Sequence, residues 1–155
     1  MSLGSGDIIR LNVGGQSFGT QLDTLLFDRH SLLYQWFDAK PNNPPLPVDR
    51  NGAYFIDRDP HCFGIVLNYL RLRTAGQVWE ACLPKDPDRL ALLTQEADYF
   101  RLPALRDQAV ALLQSCTERA DVGYVNEVLI KSISCPMGFK KLDDSVLSDH
   151  YDDAD

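Results

Sequence analysis

Histidine, paired cysteine and positive charge are all in short supply here. Three histidines, His30, His61 and His150, stand far apart, and the four cysteines, Cys62, Cys82, Cys116 and Cys135, form no C-x-x-C pair. Zinc requires closely spaced thiolates or imidazoles, so the spacing predicts no metal site. The cysteines are expected to be reduced thiols that pack as small apolar groups. Fifteen Lys and Arg face 22 Asp and Glu, a net charge of −7, and no basic stretch rises above that background. A nucleic-acid backbone is therefore not the expected partner. No apolar run approaches the roughly 18 residues of a membrane span. Met1 to Gly6 has neither the basic start nor the apolar stretch of a secretory leader. The expected chain is cytoplasmic, without membrane insertion. Gly-rich phosphate loops are missing too, since Gly14-Gly15 belongs to no G-x-G-x-x-G or Walker pattern, and no cofactor is expected.

Apolar residues at 45% and charged residues at 24% place the chain among ordinary globular proteins. A length of 155 residues suits one domain with a tail. Its centre of gravity is Gly52 to Arg73. Ala53 to Ile56 is an aromatic and β-branched run that suits a strand, and Asp57-Arg58-Asp59-Pro60 ends it. Asp59 is placed to accept from free backbone N–H groups, and Pro60 fits a first helical position. Beyond that cap Phe63, Val66, Leu67 and Leu70 recur at helical spacing, and Ile65, Tyr69 and Leu72 widen the apolar surface. The pattern predicts a central helix with contacts on more than one side.

Asp7 to Val13 alternates as a strand, Gly14-Gly15 turns it, and a second strand is expected near Ser17 to Thr20. Asp23 is a candidate cap for a short helical turn, and Ser31 for a helix in which Leu32, Leu33 and Trp36 have core spacing. Lys40 to Pro47 holds four prolines in eight residues, which excludes a helix or a central strand and predicts a stiff exposed loop. Asp49 to Gly52 supplies turn chemistry. Thr74-Ala75-Gly76 stops the central helix, and Val78 is expected to begin a short extended segment. Asp86 or Asp88 then caps a helix with Leu90, Leu93, Ala97 and Phe100 on one face. Pro103 restarts the chain as a last helix with Leu105, Ala109, Leu112 and Leu113 inward. Hairpin, helix pair, strand and three helices make an α+β order. Tyr124 to Ile133 is read as a strand by its Val and Ile content, although Val125, Val128, Leu129 and Ile133 also fit a helix face. The Asp-rich end is read as a solvated, disordered tail, because it lacks a calcium-loop pattern.

Catalytic constellations are hard to find. His61 and Cys62 are adjacent, and neighbours on a helix point about 100° apart, away from a common substrate atom. Asp57, Arg58 and Asp59 form the densest charged cluster, for which a cap and ion pairs account better than acid–base chemistry. No catalytic residue is assigned, and an enzyme is not expected.

Three blocks carry a resemblance. Leu11-Asn12-Val13-Gly14-Gly15 with Phe18 and Thr20, then IDRDP with Phe63 and the run Val66 to Arg71, then Glu96-Ala97-Asp98-Tyr99-Phe100 occur in this order. Together they resemble the BTB domains of the potassium-channel-tetramerisation-domain (KCTD) family. The resemblance implies a BTB/POZ fold, a small mixed sheet with a cluster of helices, over residues 7–116, with residues 117–155 as a C-terminal extension. Such domains close into rings of four or five subunits. Asn12, Gly14, Gly15, Asp57, Arg58 and Asp59 match the motifs near those contacts, so a homotetramer or homopentamer is implied, with Arg58 the candidate for a cross-subunit ion pair. Family members commonly act as substrate adaptors for the cullin-3 ubiquitin ligase, while others are scaffolds for receptors or G-protein subunits. Trp36, Phe37, Leu46 and Tyr99 are candidates for the partner surface. The loop from Asp38 to Val48 departs from the acidic or polar sequence expected of cullin-3 binders. The zinc site that some channel tetramerisation domains share between subunits does not carry over, because its Cys-Cys pair is missing.

Overall fold

The computed structural model describes residues 6–38, 44–117 and 127–131. Two compact units divide the chain, Met1–Leu83 and Pro84–Asp155.

The first unit is built on a three-stranded mixed sheet. Strands β1 (Ile8–Val13) and β2 (Gln16–Gln21) pair antiparallel, with Arg10 opposite Gly19 and Val13 opposite Gln16. Strand β3 (Tyr54–Ile56) pairs parallel on the other side of β1, giving the order β2-β1-β3. Ile9, Leu11 and Val13 point inward, each no more than 2% exposed, whereas Ile8, Arg10 and Asn12 face out. The period-2 alternation of the sequence is thus the two faces of the sheet. Gly14 and Gly15 have φ of +56° and +99°, the left-handed backbone that a two-residue hairpin turn needs.

Helices α1 (Leu22–Leu25) and α2 (Leu32–Phe37) follow. Asp23 is not the cap of α1. The chain bends into helix two residues earlier, Gln21 holds the cap position without a side-chain bond, and Asp23 lies in the first turn. Ser31 does cap α2, its Oγ accepting from the Tyr34 amide at 3.0 Å. The core positions of α2 are Leu33 and Phe37, one turn apart, while Leu32 and Trp36 are half-buried. The proline loop is not wholly exposed. Pro44 is buried, and the Pro47 carbonyl accepts from the Phe55 amide while Val48 bridges to Tyr54. Proline serves there because the bond uses its carbonyl and asks nothing of its missing N–H.

Helix α3 (Pro60–Thr74) buries Cys62, Phe63, Val66, Leu67, Tyr69 and Leu70. It packs against α1 and a 3₁₀ turn at Glu80–Cys82, and Phe63 meets Phe18 of β2 edge to face at 5.3 Å. Contacts thus come from several sides, as its broad apolar surface demands. Gly76, at φ +68°, closes it: Gly76 N–H donates to Arg73 and Gln77 N–H to Leu72. No strand begins at Val78, which is 73% exposed in the link to the 3₁₀ turn. The guanidinium of Arg73 lies over Phe27, Tyr69 and Trp79 at 5.3, 5.7 and 6.0 Å from the ring centroids, so one cation gathers three aromatic rings.

In the second unit α4 (Pro87–Tyr99) packs on α5 (Pro103–Thr117). Asp86 occupies the cap position of α4, but its side chain makes no capping bond. Leu90, Leu93, Ala97, Phe100, Leu105, Ala109 and Leu113 form the core, and Leu112 is half-buried. Arg101 turns the chain between the helices at φ +59°, while the Leu102 amide donates to Ala97. Buried Arg106 reaches Asp98 at 3.5 Å and Asp107 at 3.0 Å. Residues 127–131 are helical, not extended, with an exposed Glu127–Lys131 pair one turn apart. The helix-face spacing of Val128 and Leu129 holds there over the β-branched composition, with Leu129 buried. The rest of Tyr124 to Ile133 and the acidic end lie outside the described residues.

A Cβ on Gly14 would sit 2.6 Å from the Arg58 carbonyl oxygen, whereas one on Gly15 meets nothing within 4 Å. Gly15→Ala should therefore lose only the left-handed backbone term, about 1–2 kcal/mol. Gly14→Ala adds a clash and should lose roughly 3 kcal/mol or more. Urea midpoints of the two variants check the order.

Candidate functional site

The six residues singled out near family contacts come together at one corner of the first unit. Its foundation is the end of β3, where the Ile56 carbonyl accepts from both Gly14 N–H and Arg58 N–H at 3.0 Å each. The hairpin turn is thereby pinned to the β3–α3 connection, and Gly14 lies against the Arg58 carbonyl. Only glycine combines the required φ with that approach. Asn12 completes the turn: its Oδ1 accepts from Gly15 N–H, and its Nδ2 donates to Asp49 Oδ2, both at 2.9 Å.

Asp49 was legible only as turn chemistry. Its Oδ1 accepts from the amides of Asn51 and Ala53 at 2.8 and 3.0 Å, closing the DRNG turn, while its other oxygen ties that turn to β1. These bonds, that from Asn12 foremost, hold its carboxyl below the usual carboxylate range. A long-range side-chain bond across 37 residues leaves no periodic trace, so the pairing is not legible from residue pattern.

Asp59 caps α3, accepting the Cys62 amide on Oδ2 at 2.8 Å, and Pro60 follows at the first helical position. That bond is the main reason its carboxyl also titrates low. Asp57, Gly14, Gly15 and Asp59 are exposed, and Arg58 and Asn12 are partly so. The corner is polar and open, with backbone and side chains interlocked beneath. Asn12, Gly14, Gly15 and Asp59 have direct structural tasks within the chain itself.

The proposed partner-surface residues separate. Phe37 is no surface residue: it is 1% exposed and meets Tyr54 edge to face at 5.4 Å. Its neighbour Trp36, read as core, is the half-exposed one. Leu46 is half-buried beside the paired segment Pro47–Val48, and Tyr99, also half-buried, ends α4 in the second unit. His61 is exposed and Cys62 is 1% exposed, so the two do point apart. Burial pushes the Cys82 thiol up, away from the thiolate form. Among the described residues no three His, Cys, Asp or Glu side chains gather to hold a metal ion. No helix among them is long and apolar enough to cross a membrane.

A sequence profile of the BTB/POZ domain matches residues 9–109. The chain belongs to the BTB/POZ family, in its KCTD branch. The BTB/POZ domain-containing protein KCTD18 of Bos taurus is 33% identical over 119 residues, 75% of this chain and 26% of that protein. KCTD5 of Homo sapiens is 52% identical over 63 residues, 41% of this chain and 26% of its own length. KCTD21 of Homo sapiens is 36% identical over 110 residues, 68% of this chain and 39% of its own. The match thus spans well under half of each of these relatives. The mixed sheet and helix cluster agree with the α+β expectation, and the family assigns the chain a protein-interaction and self-association role. The motif residues acquire physical meanings in this BTB domain. Ile56, Asp59 and Pro60 of IDRDP are strand end, cap and helix start; Ala97 and Phe100 of the third block are core, and Glu96 is buried with them.

Asp59→Ala should cost about 1 kcal/mol of stability and Asp59→Ser much less, since serine retains a capping oxygen; thermal melts compare them. Both Asp49 and Asp59 are lowered in the folded state, so the stability they supply is present above the unfolded carboxylate pKa and lost as pH falls through the folded values. Urea midpoints should fall on going from about pH 5 towards pH 3. The fall should be shallower in the Asp49→Asn/Asp59→Asn double variant.

Proposed function

We propose that this BTB domain forms a closed homo-oligomer of four or five copies and works as a substrate adaptor for a cullin-3 ubiquitin ligase. The observation that carries the self-association is the polar corner at Gly14 and Arg58, with Asp57 exposed and Arg58 partly so on a framework pinned by Ile56. Rigid backbone beneath charged side chains suits a contact that must repeat identically around a ring. Arg58 makes the cross-subunit ion pair, with Asp57 beside it, while Asn12, Gly14, Gly15 and Asp59 hold the corner in shape. A ring multiplies a weak partner contact by effective concentration, a role that needs no catalytic group. The protein acts in the cytoplasm as an interaction module, not an enzyme, and uses no cofactor.

Trp36 and Leu46 in the first unit and Tyr99 in the second, all half-buried, are the partner-surface candidates. One observation favours a second reading, an oligomeric scaffold for a receptor or G-protein complex without cullin-3. Pro47 and Val48 are tied to β3, so the end of the proline loop is held against the sheet instead of being free to shape itself to the cullin.

Light scattering of the purified chain should give a mass four or five times 17.4 kDa, rising by about one cullin per subunit when the cullin-3 N-terminal region is added. A ring whose mass stays constant on that addition supports the scaffold. Arg58→Glu should lower the oligomer mass, and an unchanged mass removes Arg58 from the subunit contact.

A further inference from the structure

The bond between Asn12 and Asp49 fixes more than the distance between two turns. An asparagine amide has a donor end and an acceptor end of nearly the same shape, so its neighbours decide which way round it sits. An ionised carboxylate only accepts. Asp49 Oδ2 lies 2.9 Å from Nδ2 of Asn12, and that end of the amide is therefore committed as the donor. The acceptor end is left for Gly15 N–H, which donates to Oδ1 at 2.9 Å. Asp49 is itself fixed, because its Oδ1 accepts from the Asn51 and Ala53 amides at 2.8 and 3.0 Å and its own N–H donates to the Ala53 carbonyl at 2.8 Å. Arg10 attracts the same carboxylate and favours its ionised form. A stationary acceptor in the DRNG turn thus sets the polarity of a side chain on β1.

Gly15 depends on that polarity. It is exposed, at φ +99°, and a Cβ on it would meet nothing within 4 Å, so packing does not hold its peptide in place. Gly14 differs, with its N–H bonded to Ile56 and its Cα against the Arg58 carbonyl. One half of the hairpin turn is seated by contact with the β3–α3 connection, and the other half by the Asn12 side chain.

We propose that Asp49 is a positioning residue of the subunit contact: its carboxylate orients Asn12, and Asn12 holds Gly15 in the shape that the neighbouring subunit meets. This role rests on the self-association proposed above and adds to it a residue 37 positions from Asn12. What matters is polarity, not bulk. In Asp49→Asn the side chain keeps its shape, and its oxygen must still face the Asn51 and Ala53 amides, so its NH₂ turns on Asn12. Donor then meets donor, and if Asn12 turns over to accept, its own NH₂ faces Gly15 N–H. Asn12→Asp fails differently, by setting two carboxylates against each other. Exchanging the residues repairs both faults. In Asn12→Asp/Asp49→Asn the amide at position 49 donates to the carboxylate at position 12, whose other oxygen accepts from Gly15, and the net charge is unchanged.

The test compares the full chain, both single variants and the exchanged pair by hydrogen exchange at the hairpin turn and by light scattering through a dilution series. Each single variant should speed exchange at Gly15 and raise the concentration at which the ring dissociates by about tenfold, the worth of one charge-assisted hydrogen bond. The exchanged pair should return both readings to within about twofold of the wild type. A requirement for side-chain size alone predicts no such rescue, because Asp49→Asn already preserves size. Should a single variant fail to fold, the exchanged pair still decides, and a pair that does not fold or does not form the ring overturns the proposal. Rescue no better than either single variant also overturns it. A wild-type ring whose dissociation is indifferent to Asp49→Asn overturns this role alone, whereas a wild-type chain that is monomeric throughout overturns the self-association and this role with it.

Discussion

The first unit depends on one backbone acceptor, the Ile56 carbonyl, which holds the hairpin turn and the entrance to α3 at the same time. That double use sets how closely the two loops approach, and the approach in turn dictates Gly14. Strand β3 is only three residues long and would be a marginal strand by itself. Its persistence rests on being paired on both sides, by β1 along its length and by the Pro47–Val48 segment through a bond and a bridge. The order of causation runs from turn chemistry to loop contact to helix entry, and the polar corner is the surface of that sequence of constraints.

A polar corner of this kind depends on the base beneath it. Charged side chains exposed to water contribute little as isolated pairs, because solvent screens them and their rotamers must be frozen. They contribute more when a rigid base holds them in register. Asn12 and Asp49 provide part of that base, joining β1 to the DRNG turn while the turn's own amides saturate the carboxylate.

Local and periodic features were readable from the sequence. The hairpin at Gly14-Gly15, the Ser31 and Asp59 caps, the Pro60 helix start and the core faces of α3, α4 and α5 each follow from a few neighbouring residues. The three motif blocks gave the family. Errors came where a choice depended on a partner far along the chain. Phe37, a partner-surface candidate like Trp36, is buried because Tyr54, distant in sequence, receives its ring. Pro47 and Val48 pair with a strand that a proline count argues against, since the bond made by Pro47 uses its carbonyl. Asp86 stands at a cap position without capping, and residues 127–131 coil where composition favoured extension. At the candidate site the members were legible as a list. Their interlocking through Ile56 and Asp49 was not, because backbone acceptors and long-range side-chain bonds leave no pattern in residue type.

The aromatic cluster around Arg73 has a spectroscopic consequence. The chain has two tryptophans, Trp36 and Trp79, and both belong to the unit Met1–Leu83. Trp79 stands edge-on to Tyr69 at 4.9 Å and within reach of the Arg73 guanidinium, so its emission is tied to the integrity of α3 and the 3₁₀ turn. Tryptophan fluorescence therefore follows the melting of the sheet unit. Circular dichroism draws on the helices of both units, α3 in the first and α4 and α5 in the second. A temperature gap between the two signals would measure how independently the two units unfold.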